Sequence, residues 1–482
     1  MAEIPHGAPV TPASFLGGLT ASLFVCLRRL GNAPRRVFSS ERGRAAARTA
    51  IGAVLARPLN MLLSMATTAV LVRFMGVEQF GTWAMWQNLA GVLGVFALGV
   101  PLSLMNHVST ARAAGDERRL SQILSTAFFM MVAAGAVVII VAAAWISVDD
   151  SLGGLARPNG RPNDRAITAC AAVFIVYAAL NLAAGLFDRV TTAYQDGWIS
   201  AGCQVAGSTI SLALVGLACW LGASLPIVAT GWAAGALFGL AINAVVARVR
   251  YGGWAMPRLA AVSSREMWQL LADGWKFMLL GFIALITLQS DPLLIGIWDT
   301  LHAAPGGSRA VAEMAIPLRF FNVTGAVIFV FLAPLWPAYA DARARGDMEW
   351  SRRTLVRSLL ATAAVSILLI VPATVWGKTL LEWWVGKEVA VQPRLLFAFG
   401  GWTIVTLIAY PVVMYLNGFG KLRFQLGLGL LFMLCVLPAK FFGLAWFGST
   451  GMIAATVLVF ILLQLVPLLW LAFTLTRLAK SV

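Results

Sequence analysis

Ala342-Arg343-Ala344-Arg345-Gly346-Asp347 (ARARGD) has a near copy, ARAAGD, at Ala111 to Asp116, 231 positions earlier. Each copy follows an apolar run of helix length and precedes another. Each also carries a basic cluster just downstream, Arg118 and Arg119 after the first, Arg352, Arg353 and Arg357 after the second. Self-similarity at a fixed offset is the mark of a duplicated unit. A second pair, Tyr194-Gln195-Asp196-Gly197 and Asn417-Gly418-Phe419-Gly420, offset by 223, joins apolar runs through a short polar turn in the same way. The chain therefore reads as two related halves.

The composition says what kind of halves these are. Of 482 residues, 60% are hydrophobic and only 12% charged, against about 25% charged in soluble domains, so the chain belongs in a membrane. Its formal net charge of +16 raises nucleic acid as a partner, but basic residues flanking apolar spans set topology instead, and no nucleic-acid role is expected. Five cysteines are scattered without metal-ligand spacing, and the three histidines, His6, His107 and His302, are too dispersed for a metal or a catalytic triad. No cofactor is expected, and no secretory signal, since Phe15 to Leu27 runs into Arg28-Arg29.

A helical span takes about 20 apolar residues. Twelve such runs stand between Ile51–Arg73 and Thr450–Leu475, which places both chain ends on one side. With those ends inside, the inner segments hold 24 basic residues and the outer loops 8, with Arg57, Lys276, Arg319 and Lys440 left within spans. The positive-inside rule then makes the termini and both ARA(A/R)GD loops cytoplasmic, where they anchor against anionic lipid. The expected division is a cytoplasmic segment 1–50, with an interfacial helix, a six-helix bundle 51–247, a cytoplasmic linker 248–268, a second six-helix bundle 269–475 and a tail 476–482. Six spans per half is an even number, so the bundles enter the membrane alike and are related by an axis along its normal, with a cavity between them. The fold class is an all-α integral membrane protein. Prolines within the spans, among them Pro58, Pro101, Pro292, Pro337, Pro411 and Pro438, mark bending points, and the Gly231, Gly235, Gly239 ladder marks close helix packing inside the chain.

Charges within spans cost about 2.5–3.5 kcal/mol each on insertion scales and so face a partner or a wet cavity. Arg57, beside Pro58 and near Asn60, lies about two turns into the first span; Arg319 lies as deep in the eighth, with Asn322 one turn on. At the 231 offset Arg319 falls on Asn88. Lys276 either snorkels and pairs with Asp273 or faces the cavity. Lys440 either neutralises Asp188 or another buried acid, or is a cavity cation. Arg57 and Arg319 either pair with Asp291 or hold an anion, and the planar guanidinium suits a diphosphate through parallel hydrogen bonds. Gln289 and Asp291 stand in the outer half of the seventh span, where Asp291 serves as an ion-coupling group or as a counter-ion. Trp83, Trp86, Phe320 and Phe321 pack, or stack on sugar faces. Gly377-Lys378-Thr379 is no phosphate loop, because Pro372 occupies the position of its first glycine.

Phe74-Met-Gly-Val-Glu-Gln-Phe-Gly81 resembles the "LGpeefG" turn of bacterial polysaccharide flippases, and Gln289-Ser-Asp291 followed by Leu293-Leu-Ile-Gly296 is similar to their seventh-helix "D..LIG" phrase. The resemblance runs from about Ile51 to the C-terminus and is to the Wzx-type flippases of the superfamily that also holds multidrug exporters. It implies a V of two six-helix bundles working by alternating access, without enzymatic activity. The implied cargo is an undecaprenyl-diphosphate-linked oligosaccharide moved across the bacterial inner membrane, for O-antigen, capsule or exopolysaccharide. Membrane lipids, the glycan polymerase and other assembly proteins are the implied partners. Pro292 replaces the family's usual basic residue. The expected substrate contacts are Arg57, Asn60, Asn88, Lys276, Gln289, Arg319 and Asn322. A drug or cation exporter of the same superfamily, a membrane glycosyl polymerase or ligase, and a structural assembly partner are the other readings.

Overall fold

Glu41–Met75 forms a single helix, α1, across Pro58, and it sets the pattern for the chain. The computed structural model describes residues 41–97, 99–148, 165–288, 290–301, 307–332, 335–389 and 391–478. The expected interfacial helix before residue 41 and the end of the tail lie outside them. Every regular element among the described residues is helical, the result required of a chain in hydrocarbon, where a helix satisfies its own backbone groups. After α1 come α2 (Val77–Leu93), α3 (Val100–Ala113), α4 (Glu117–Val148), α5 (Arg165–Ala184), α6 (Leu186–Ala193), α7 (Gly197–Trp220) and α8 (Leu225–Tyr251). The second half holds α9 (Ser264–Leu288), α10 (Asp291–Leu301), α11 (Gly307–Leu332), α12 (Leu335–Ala344) and α13 (Met348–Val375). It ends with α14 (Gly377–Val385), α15 (Pro393–Gly418), α16 (Leu422–Phe460) and α17 (Val466–Leu478).

Eight of the described helical stretches are long and apolar enough to cross a membrane. The last of them, Leu422–Thr476, is two passes folded at Gly448, whose φ of 64 interrupts the helix. Three further passes are each described as two shorter helices, so the two halves hold six each. The second pass breaks between α2 and α3, at a 3-10 turn Gly94–Ala97 and Gly99 with φ 70, and Pro101 restarts it. The seventh breaks at Ser290, between α9 and α10, and restarts with Pro292; the eighth is described as α11 and α12, and Pro337 stands in the first turn of α12. Proline lacks the amide hydrogen but fits the first turn of a helix, so the restarts fall where the prolines are.

The repeated phrase proves to be a repeated turn. In the first copy the amides of Asp116 and Gly115 donate to the carbonyls of Ala111 and Arg112; in the second those of Asp347 and Gly346 donate to Ala342 and Arg343. This is the reverse turn that ends a helix with a left-handed glycine, and Gly115 and Gly346 have φ 70 and 73. Each aspartate then caps the next helix, accepting from the Arg119 amide at 2.9 Å and the Trp350 amide at 3.0 Å. The second pair makes the same turn with a corrected register. Asp196 and Gln195 donate to Thr191 and Thr192, and Lys421 and Gly420 to Leu416 and Asn417, so Tyr194 matches Phe419 and the offset is 225. The two motifs also meet within each half. The Arg112 guanidinium lies 4.1 Å from the Tyr194 ring centre, and Arg343 lies 6.0 Å from that of Phe419.

All these turns lie on the face of the molecule that carries the described chain ends, called here the terminal face. Hydrophobic packing divides by face. On the far face one cluster draws on both halves, with Leu71, Val72 and Trp83 beside Val311, Ile316 and Trp384. Toward the terminal face one cluster gathers around Leu104, Ile123 and Leu186 of the first half and takes in Leu270 of α9, and another lies around Tyr339, Leu355 and Tyr415 in the second. The halves thus share the far-face core, and toward the terminal face they meet along α9, which packs against α3 and α4. The glycine ladder packs inside the first half: a Cβ on Gly235 would run into Ser211 of α7, and one on Gly239 into Cys203 and Gly207.

Three further ties cross toward the terminal face. The Gly99 turn lies against the Gly274 backbone of α9. His107 of α3 meets Asp273 at 3.1 Å, and Arg119 meets Glu266 at 3.2 Å. The linker stays with the first half, its Arg258 and Ser263 amides donating to Ser125 and Thr126 of α4.

Candidate functional site: a cavity shared by the two halves

Two cavities flank α1. The larger, of about 540 Å³, is enclosed by α1, α2, α5, α6, α7 and α8 of the first half and reached by one residue of the second, Arg319. The smaller, of about 400 Å³, lies between α1, α11 and α15, walled by Phe321, Asn322, Trp402, Thr406 and Tyr410. Arg57 and Met61 line both. Volumes of this size hold small ligands, and the two compartments meet at an exposed guanidinium.

Arg57 is exposed on α1, the helix that packs along α7. Asn60 is on the packed side, its carbonyl oxygen accepting from Ser208 Oγ at 2.8 Å, and both residues line the larger cavity. Arg319 reaches across from α11. It donates to Thr68 Oγ1 at 2.6 Å and to Gln87 Oε1, and lies over the Phe80 ring at 5.3 Å. Asn322, one turn on, is exposed into the smaller cavity.

The remaining expected contacts lie elsewhere. Asn88 turns back on its own helix, donating to the Ala84 carbonyl at 2.7 Å; its neighbour Gln87 is the residue on the cavity wall. Lys276 stands on α9 with its side chain outside the described part, and Gln289 is itself outside it. Asp291 is buried against Lys440, whose Nζ lies 2.5 Å from Asp291 Oδ1 and donates to the Thr287 carbonyl at 3.0 Å and Ser290 Oγ at 3.1 Å. That lysine, fully buried, stitches the break between α9 and α10. It takes a carbonyl freed at the end of one helix and the carboxylate that opens the next. The aromatic side chains divide: Trp83 and Phe321 line the cavities, Trp86 is packed inside the shared core, and Phe320 packs against it.

Several wall residues carry no signal that sequence spacing isolates. Gln87, Asn181, Gln204 and Ser208 are single polar residues within apolar runs. Lys440 neutralises the other buried acid, Asp291, and Asp188 is on the cavity wall, held by neutral donors: Ser200 at 2.9 Å, Gln204 at 3.1 Å, and Asn243.

A helical, two-lobed membrane fold with a polar cavity in its first lobe, closed by one arginine of the second, defines a class. The chain is similar to an inward-facing conformation of a multidrug-resistance MATE family transporter of the MOP superfamily. That match is 14% identical, covers 90% of this chain and 99% of the other, and has a TM-score of 0.71. An outward-facing conformation of a MATE family transporter matches at 14% identity over 92% and 98%, with a TM-score of 0.61. A MOP superfamily transporter from Pyrococcus furiosus, described as having a binding pocket of reverse polarity, matches at 13% over 92% and 98%, also at 0.61. The fold is that of a MOP-superfamily transporter. A model of the polysaccharide biosynthesis protein family matches residues 47–337, and the chain belongs to that family. No curated protein matches it.

Proposed function

We propose that this transporter is a flippase that moves an undecaprenyl-diphosphate-linked oligosaccharide from the inner to the outer leaflet of the bacterial cytoplasmic membrane, with its terminal face in the cytoplasm. The observation that carries this reading is the placing of Arg57 and Arg319 on the walls of a divided cavity. A guanidinium fork matches phosphate oxygens in pairs, and Asn60, Asn322 and Gln87 stand nearby as hydrogen-bonding groups for the headgroup. The first-half compartment is polar enough for sugars to stay hydrated, while the polyprenyl tail remains in lipid between the lobes. Asp291, neutralised by Lys440, is read here as a counter-ion. The glycan polymerase and other assembly proteins are the partners such a cargo requires.

Arg57→Ala and Arg319→Ala, tested in cells with a glycan-export readout, are expected to block export and accumulate lipid-linked glycan in the inner leaflet. Unchanged export in both removes these residues from the mechanism. Asp188 on the cavity wall favours the other reading, a cation exporter. Under that reading the protein confers resistance to lipophilic cations, Asp188→Asn abolishes it, and deleting the protein leaves glycan export unchanged; the flippase reading expects no such resistance.

A further inference from the structure

Arg319 belongs to the second half, yet the hydrogen bonds of its guanidinium end on the first. Its two terminal nitrogens are held by Thr68 of α1 and Gln87 of α2, at the level where the cavity ends and the shared far-face core begins. Gln87 lines the cavity while Thr68 is buried behind it. The same residue thus lines the cavity on one side and ties the lobes together on the other. We infer that Arg319 is a cargo-operated latch: the diphosphate, when it reaches the roof of the cavity, takes the guanidinium from Thr68 and Gln87 and so frees α11 from α1 and α2. This rests on the flippase reading and adds to it the step by which occupancy is converted into opening.

The exchange is chemically favourable because a phosphate is a charged acceptor, whereas the hydroxyl and the amide are neutral, and charge-assisted bonds are about twice as strong. It is also directional. A neutral ligand gives the guanidinium no reason to leave, so an empty transporter stays closed at the far face. Only a ligand with different affinity for the two states shifts their balance, and the latch supplies that difference.

The test uses the full chain in lipid nanodiscs, with its five native cysteines replaced and Ala312→Cys as reporter. Ala312 is on α11 and fully buried in the far-face core, so a membrane-impermeant thiol reagent reaches it only when that face opens. Undecaprenyl diphosphate is expected to raise the labelling rate roughly tenfold, the factor that one charge-assisted bond supplies, and undecaprenol to leave it unchanged. Thr68→Val and Gln87→Leu are expected to raise the rate without ligand. Gln87→Glu, which offers Arg319 a charged partner, is expected to lower the response to ligand. Equal opening by undecaprenol, or wild-type rates in all three variants, overturns the latch. Binding of undecaprenyl diphosphate with no change in labelling overturns the latch alone and leaves the flippase reading standing. Absence of binding overturns both.

Discussion

Arg57-Pro58 in the first half and Asp291-Pro292 in the second are each a charged residue followed by proline in the opening span of a half, and they end up in opposite circumstances. Pro58 leaves α1 continuous, and Arg57 is exposed between two cavities. Adding the offset of 231 to Pro58 gives position 289, which falls at the junction of α9 and α10. There the helix is interrupted, and Asp291 is buried against a lysine that also caps the broken end. Duplicated scaffolds thus keep the bending point and vary what is done with the charge. One copy leaves it exposed on the cavity walls, and the other locks it into the frame.

The sharpest way to break this comparison is Lys440→Ala. Removing one partner of a buried pair leaves an uncompensated charge, which costs about 3–5 kcal/mol. A large fall in melting temperature is expected in detergent, largely recovered by Lys440→Met combined with Asp291→Leu. Arg57→Met, by contrast, is expected to change stability by less than about 1 kcal/mol while abolishing export. Equal melting temperatures for Lys440→Ala and wild type would contradict the locked role.

A smaller effect separates the tightly packed first half from the rest. Gly235→Ala places a methyl against Ser211 and is expected to cost about 1–3 kcal/mol as overpacking. Gly427→Ala on α16, where a Cβ meets nothing within 4 Å, is expected to stabilise by under about 1 kcal/mol through helix propensity. Thermal unfolding of the two variants side by side tests the contrast.

The smallest effect concerns the paired terminal turns, where Asp196 in one half matches Lys421 in the other. Burial alone would raise the Asp196 carboxyl, but hydrogen bonds from Arg250 and Tyr251, with the nearby Arg250 charge, outweigh it and hold the group below the usual carboxylate range. A depressed value means stability that is present above the unfolded value of about 3.9 and lost as pH falls through the folded one. Arg250 is half exposed, so Asp196→Asn is expected to cost under about 1 kcal/mol at pH 7 and to flatten the loss below pH ~4. An unaltered acid limb would remove the pair from the stability of that turn.

The duplication and the six-and-six arrangement were legible because span length and basic loops are set by the bilayer, which acts on composition. The site was legible in type and less so in address. Arg319 falls on Asn88 by counting, but its partner is Gln87, and neighbours on a helix point about 100° apart, so an error of one residue turns a wall residue away. The register of the second turn pair was off by two for the same reason: Asn417-Gly418 imitates a turn that closes on Gly420. The Lys440–Asp291 pair joins residues 149 positions apart, and no periodicity connects them. Asp188 was visible as a buried acid, yet its neutral donors come from α7 and α8, so only tertiary packing decides that it lines a cavity.

The far-face closure depends on α14, nine residues long. Arg73 of α1 donates to the Trp383 and Trp384 carbonyls at its end, at 2.6 and 3.0 Å, and the Trp384 indole donates back to Met65 at 3.1 Å. Trp383 and Trp376 on the same segment are 79% and 62% exposed, and indoles of this kind prefer the headgroup layer. Whatever parts the lobes on that side must drag these rings through the lipid interface, so the surrounding membrane, by its thickness and headgroup chemistry, sets part of the resistance to each cycle.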